Sequence, residues 1–386
     1  MALYRTEPKR LDDFIKTNLE PDAFNVEVRN AVHRICEFLR NLCFINRPEI
    51  KVIKAVKGGS SGKGTALRNG SDADLVVFLS CFKDFQEQRD TRQEVLEEIR
   101  QMLERCSRSL AYEIRDINIT IIPNISPKSL SFVLKSKKNS NNVEFDVLPA
   151  FDASMGLDNA NEAHLKLIHF VSKNGDPNGE FSACFTELQR KFVKQRPSKV
   201  KDLIRLVKYW YKQYVKPRKS ELRGVERLPA KYAVELLTIY AWEQGNGMER
   251  FSTAEGFRTV LELICRYREL CIYWTEYYNV KNKVIADFLI QKLRGNRPII
   301  LDPADLTGNV GAATGWHVMV DEARKCLSQT CVSGVRAWNV QVKWLDSSPF
   351  DLPDNIHNNI SMIKHQIQQD RNIPAHQQCP MLNEIS

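Results

Sequence analysis

The chain has 386 residues, 43% of them hydrophobic and 27% charged. That balance excludes a disordered or fibrous polypeptide and allows two domains. A net charge of +9 and a pI of about 9.0 suit phosphate-rich partners, or equally a solvated lysine-rich surface, and say nothing about fold.

In chain order, Leu11, Phe14, Ile15, Val28, Val32, Ile35, Phe38 and Leu39 recur at helical spacing across residues 11–44. Val52, Ile53 and Val56 suggest a short strand, and a glycine-rich turn follows. Asp72 to Leu79 reads as a strand and residues 86–105 as a charged helix. Ile114 to Ile122 and Leu130 to Leu134 alternate like strands, and Val143 to Leu148 forms another. After Pro149 the texture changes. Helical patterns dominate, with long stretches at 198–215, 231–244, 253–272 and 282–294. The first part is therefore expected to be α/β and the second mostly α. The end is rich in Asn, Gln, His and Pro. Ser361 to Gln369 allows a short helix, but a mobile tail is the expectation there.

The ten cysteines include no CxxC pair, and Cys265 and Cys271 lie in a helical pattern. No structural zinc is expected, and the thiols are expected to be free in a reducing compartment. No apolar run reaches the roughly 20 residues that span a bilayer. MALYRTEPKRLDDF lacks an apolar signal core, and no cysteine stands fourth from the end. A cytoplasmic protein without a membrane anchor is the expectation.

The chemistry lies in Lys57-Gly-Gly-Ser-Ser-Gly-Lys-Gly-Thr65 and Ser71-Asp-Ala-Asp74. The first segment fails as a Walker A loop. Counting back from Gly62-Lys63, the required first glycine falls on Lys57, and Gly64 stands where Ser or Thr is needed. No HRD or DFG element follows to make it a kinase loop. Gly58 and Gly59 instead allow close backbone approach, so that amide groups and the Ser60 hydroxyl can cradle a polyphosphate. Asp72 and Asp74, two apart on a strand, share a face. Asp146 alternates with apolar residues in Val143-Glu-Phe-Asp-Val147 and completes a three-carboxylate site if the two strands are neighbours. Such a site suits phosphoryl transfer with two magnesium ions, one on the attacking hydroxyl and one on the leaving pyrophosphate. The three carboxylates are then expected to converge on one point. A DxD pair alone reads as a strand cap; the GGSS turn before it and the later acidic strand make the metal reading more specific.

GGSSGKGT, SDADLVVFL, VEFDVLPAFD, CFTELQRKF, RLVKYWY, ELLTIYAWEQG, GFRTVLELI and RPIILDPAD together resemble the 2′-5′-oligoadenylate synthetase family of polymerase-β-like nucleotidyltransferases, over residues 1–345. The resemblance implies a bilobal α+β fold. An α/β mixed-sheet N-lobe with N-terminal helices would cover 1–155, a helical C-lobe 156–345, and a polar tail 346–386. It implies ATP in the cleft, activation by double-stranded RNA, 2′-5′-linked products with pyrophosphate release, and a role in innate antiviral defence. By motif, Asp72, Asp74 and Asp146 match the metal-binding aspartates, and Ser60 the phosphate-contacting serine. Arg205 and Lys208 match an ATP-binding pair, and their spacing places them on one helix face; alone they would read as a solvated face. Lys63 of the glycine turn and Lys231 join the nucleotide set. Lys231 stands where the family has a glutamine that contacts ATP, and it cannot copy an amide's donor and acceptor. The segment from Asp152 to Leu167 is shorter than in the family and lacks its prolines. These departures leave open a weakened or inactive relative that only binds RNA. A third reading is a nucleotidyltransferase making a cyclic dinucleotide, because metal ligands do not fix the acceptor hydroxyl. Cys331-Val332-Ser333 stands where some members assemble through Cys-Phe-Lys, so a monomer is expected.

Between Arg190 and Arg227 stand 14 Lys or Arg and 3 acids, a local surplus larger than that of the whole chain. Arg190, Lys194 and Ser198 lie four apart, and with Lys199 and Lys201 they match the family's RNA-contacting region. Arg40, Lys54 and Lys57 are further candidates. Double-stranded RNA is read mostly by shape, through phosphates and 2′-hydroxyls, which suits basic residues on rigid helices. Without the resemblance, the cluster reads as a solvated charged helix. Tyr209, Trp210, Tyr211 and Tyr214 are expected to pack internally rather than stack on bases.

Overall fold

A computed structural model describes residues 2–21, 24–68, 72–106, 112–119, 127–136, 142–153, 160–245 and 247–341. The helix expected at 361–369 and the tail lie outside them.

The N-terminal half is built on a five-stranded sheet. Its strands are β1 (Val52–Lys57), β2 (Asp72–Leu79), β3 (Tyr112–Ile119), β4 (Leu130–Ser136) and β5 (Asn142–Ala150), in spatial order β1-β2-β5-β4-β3. β2 and β5 run parallel at its centre, and the other neighbours are antiparallel. The residues of β2 explain its central place. Leu75 to Leu79 are buried without alternation, as in a strand covered on both faces. Only its N-terminal end, Asp72 and Asp74, opens to solvent. After two short helices, α1 (Ala2–Arg5) and α2 (Leu11–Asn18), two long ones, α3 (Phe24–Asn41) and α5 (Phe85–Cys106), pack against the sheet. Between β1 and β2 the glycine-rich segment winds into one turn of helix, α4 (Gly59–Lys63), ended by Gly64 in the left-handed conformation.

The second half is helical: α6 (Ala160–Asn174), α7 (Thr186–Lys194), α8 (Ser198–Trp210), α9 (Lys231–Gly245), α10 (Thr253–Cys265), α11 (Lys283–Leu293) and α12 (Trp316–Leu327). α9 runs through the centre of this lobe. Every residue from Ala233 to Trp242 is buried, as expected of a helix with no polar face. α8, α10 and α12 surround its neighbourhood, and Trp210, Phe257 and Trp316 are fully buried among them. Trp210 and Tyr211 thus belong to the core, Tyr214 stacks on Tyr4 at 4.1 Å, and Tyr209 meets Phe14 edge-on.

Three expectations need correction. The helix expected across 253–272 ends at Cys265. A 3-10 turn over Tyr267–Glu269 follows, and Cys271 and Ile272 then form β6 beside Ile299 and Ile300 (β7). A continuous apolar pattern cannot show where a chain turns from helix to a short buried strand. The stretch 198–215 is α-helical only to Trp210 and continues as a π turn over Tyr211–Val215. The two lobes also do not divide cleanly near residue 155. Leu3, Leu11, Phe14, Ile15 and Leu19 are buried in the helical lobe's core, while Phe170, Phe181, Phe185 and Leu289 share the core of the sheet.

Candidate active site

Between the lobes lies a cleft of about 580 Å³, a size typical of small-molecule sites. One wall is acidic. β2 and β5 are paired so that Asp72 lies beside Glu144 and Asp74 beside Asp146. The strand pleat puts Asp72, Asp74 and Asp146 on the face that lines the cleft. Ser131 on β4 is the register partner of Asp146 and donates its hydroxyl to Asp146 Oδ1. Burial, then the neighbouring Asp146 and Asp72 charges, raise the Asp74 carboxyl above the usual range, opposed by Lys63 and Lys231.

The glycine turn sits directly on this wall. Gly58 N–H donates to the Asp74 carbonyl at 2.8 Å. Gly59 has φ +51°, and a Cβ there would lie 1.6 Å from Asp74 Oδ2. No other residue type fits that contact.

The other wall is basic, lined by Lys63, Lys208, Lys212, Lys216 and Lys231. The sequence did not single out the group that organises its deep end, Glu235. This carboxylate is buried in α9. It lies 3.1 Å from Lys63 Nζ and 2.9 Å from Lys208 Nζ, and it accepts a hydrogen bond from the Thr65 hydroxyl at 2.8 Å. Burial alone would raise its pKa, but Lys63 and Lys208 outweigh that and hold it at about 2. Burial lowers the pKa of Lys208, against the pull of Glu235. Lys63 also sits 3.5 Å over the ring of Tyr232. Two signals were present in the sequence: an acid amid the apolar run of α9 demands buried cations, and Lys208, Lys212 and Lys216 recur every fourth residue.

The structure brings together Ser60, Lys63, Asp72, Asp74, Asp146, Lys208 and Lys231 in one cleft. Arg205 is not among the lining residues. Its guanidinium holds the carbonyls of Gly64 and Ala66 and pairs with Asp202, so it braces the end of the glycine turn. Lys231 lies at the mouth, its ammonium 3.4 Å from Asp72 Oδ2.

The three carboxylates share the acidic wall, near enough for Asp146 and Asp72 to act on the Asp74 carboxyl. Among the described residues, no group of three His, Cys, Asp or Glu side chains is arranged to hold a metal ion. Asp72 faces Lys231 and Asp146 faces Ser131. The donor set nonetheless fits magnesium, being hard carboxylate oxygen throughout. The mutual repulsion that raises Asp74 is what a cation relieves.

The basic residues proposed outside the cleft separate into two groups. Lys194 and Ser198 are exposed where α7 passes into α8, Arg190 is half-buried behind α4, and Arg40 is exposed at the end of α3. Lys57 closes β1 next to the glycine turn. Lys54, by contrast, is held between Asp152 at 2.8 Å and Glu187 at 2.6 Å, over the ring of Phe78. It ties β1 to α7 instead of joining an open basic face. Lys199 pairs with Asp12, and Lys201 donates to the Lys194 carbonyl, so both also serve local packing. No helix among the described residues is long and apolar enough to cross a membrane.

Comparison with known proteins agrees with this architecture. Residues 158–344 match the family model for 2′-5′-oligoadenylate synthetase 1, domain 2, C-terminus, and residues 35–138 match the nucleotidyltransferase domain. The chain is 45% identical to 2′-5′-oligoadenylate synthase 2 of Mus musculus, over 89% of this chain and 47% of that protein. It is 44% identical to 2′-5′-oligoadenylate synthase 1A of Rattus norvegicus, over 88% of this chain and 96% of that protein. It thus spans about half the length of the mouse and rat synthase 2 proteins. A chain from the E. coli MS115-1 CdnC:HORMA-deltaN complex has the same fold, with a TM-score of 0.50 at 15% identity, covering 83% of this chain and 89% of that one. This chain, with its nucleotidyltransferase domain and an acidic cleft between two lobes, belongs to the 2′-5′-oligoadenylate synthetase family.

Proposed function

We propose that this chain joins ATP units into 2′-5′-linked oligoadenylates, releasing pyrophosphate, when double-stranded RNA binds its basic face. The observation that carries the reading is the parallel register of Asp74 with Asp146 beneath Gly59. It places a carboxylate pair against the turn best suited to a polyphosphate.

Each residue has a part in this account. Asp72, Asp74 and Asp146 are the residues that would hold two magnesium ions, and the chemistry the ions would supply there is acidifying the acceptor hydroxyl and neutralising the leaving group. Ser60 and the backbone of the glycine turn orient the triphosphate. Lys63 and Lys208, held in place by Glu235, face the phosphate oxygens as fixed cations, already oriented before substrate arrives. Arg205 acts through the 64–66 segment that it braces. Arg190, Lys194 and Ser198 meet RNA phosphates and 2′-hydroxyls, with Arg40 and Lys57 nearby. Arg190 lies against α4, its Cδ within 3.2 Å of where a Gly62 Cβ would stand. RNA engaged there would press on the glycine turn, narrow the cleft and bring the carboxylates into line, a shift between two lobe arrangements. A cytoplasmic monomer is proposed, and the burial of Cys331 and Val332 in the helical core supports the monomer.

The Lys231–Asp72 pair favours a second reading, an RNA-binding relative without catalysis. A pyrophosphate-release assay with ATP, magnesium and a long RNA duplex separates the two. Synthesis predicts RNA-dependent release that Asp74→Asn abolishes while duplex affinity stays within about twofold. Equal background release from both proteins contradicts it.

A further inference from the structure

The Lys231–Asp72 contact joins the lobes at the mouth of the cleft. Lys231 is the first residue of α9, and Asp72 is the first residue of β2. Nothing in the helix favours a cation there, because the positive end of the helix dipole lies at this terminus. What holds the ammonium is the carboxylate opposite, 3.4 Å away, with both side chains about half exposed.

The three aspartates differ in what faces them. Asp146 meets the neutral Ser131 hydroxyl, and Asp74 meets the backbone of Gly59. Among the described residues, Asp72 alone of the three is in an ion pair. We propose that Lys231 is the resident counter-ion of Asp72 and competes with divalent metal for that carboxylate. The proposal rests on the metal role given to Asp72 above.

Electrostatics gives the consequence. A dication entering beside Asp72 and Asp74 comes within a few ångströms of the ammonium. The ion pair must break, and the two cations repel at that range. Lysine can move aside on its flexible four-carbon stem. It then stands on the wall already lined by Lys63 and Lys208, where a triphosphate offers it new partners. Metal without nucleotide displaces Lys231 with no such compensation, whereas metal with nucleotide gives it somewhere to go. Lys231 therefore couples the two ligands, each strengthening the other's binding. A glutamine here would leave Asp72 free, and the two ligands would then be coupled only through the metal's own contacts with the phosphates.

The test is titration of the full chain with Mn²⁺ alone, following free ion by electron paramagnetic resonance. Lys231→Gln and Lys231→Met tighten Mn²⁺ binding by about 2- to 5-fold, the range of a half-exposed ion pair. Lys231→Arg, which keeps the charge, stays near the wild type. In an Asp72→Asn background, Lys231→Gln no longer changes Mn²⁺ affinity, because the pair is already gone. Mn²⁺ binding that depends on Asp74 but is equal in wild type and Lys231→Gln overturns this inference and leaves the metal site standing. Mn²⁺ binding that Asp74→Asn does not weaken overturns both.

Discussion

Gly59 and Glu235 carry the most specific demands at the scale of single residues. Gly59 combines a positive φ with a 1.6 Å approach to Asp74 Oδ2. Gly59→Ala must either strain the turn or push the carboxylate aside. Expected outcomes are a loss of about 1–3 kcal/mol in unfolding free energy, at least a tenfold fall in turnover, and unchanged RNA affinity. Urea unfolding, pyrophosphate release and duplex binding on one preparation check all three. Glu235 is the opposite case, a charge that must be present. Its folded pKa, about 2, lies below the unfolded value of 4.5. Its stabilisation is therefore complete above about pH 4.5 and is lost as pH falls from there toward 2. Glu235→Gln leaves Lys63 and Lys208 buried without their counter-ion, at a cost of about 3–5 kcal/mol at neutral pH. The stability gap between wild type and variant should shrink between pH 7 and pH 3; a gap independent of pH contradicts this account. The aspartates were legible because alternation on a strand fixes which face they share. Glu235 was passed over because its value depends on lysines 27 and 172 residues away in the chain.

Among the elements, the strands and the glycine turn were readable from short-range pattern, and their parallel pairing put Asp146 where the acidic strand suggested. The basic surface was less readable. A count of charges cannot tell an exposed lysine from one already paired, and Lys54, Lys199 and Lys201 proved to be held by Asp152 with Glu187, by Asp12, and by a backbone carbonyl. That division gives a prediction for α7 and α8. Replacing Arg190 and Lys194 with Glu should weaken duplex binding and reduce the slope of log affinity against log salt by roughly one to two, about one phosphate contact each. Lys54→Ala should leave that slope unaltered while destabilising the β1–α7 junction. Equal salt slopes in wild type and the double variant would place the RNA site on another face. Arg205 shows the same limit in the cleft. Helical spacing put it beside Lys208, but carbonyls at the end of the glycine turn claim its guanidinium.

For the whole molecule, the change of texture after Pro149 correctly separated a sheet from a helical bundle, because strand and helix periods differ. It did not show which core each segment would join. The first helices lie on the helical lobe, where Tyr4 donates to Glu322 and stacks on Tyr214, contacts more than 200 residues apart in the chain. α9 then spans the seam, its Lys231 reaching the acidic wall and its Glu235 the lysines of the basic one. A cleft built this way has buried cations fixed by Glu235 on one wall and the aspartates on the other. The most direct measurement is the linkage of the product made by the full chain with ATP, magnesium and a long RNA duplex. The expected product is a set of RNA-dependent adenylate oligomers that resist a nuclease selective for 3′-5′ bonds and are cut by one selective for 2′-5′ bonds. A product degraded by the 3′-5′-selective nuclease, a cyclic dinucleotide, or no RNA-dependent product at all would contradict it.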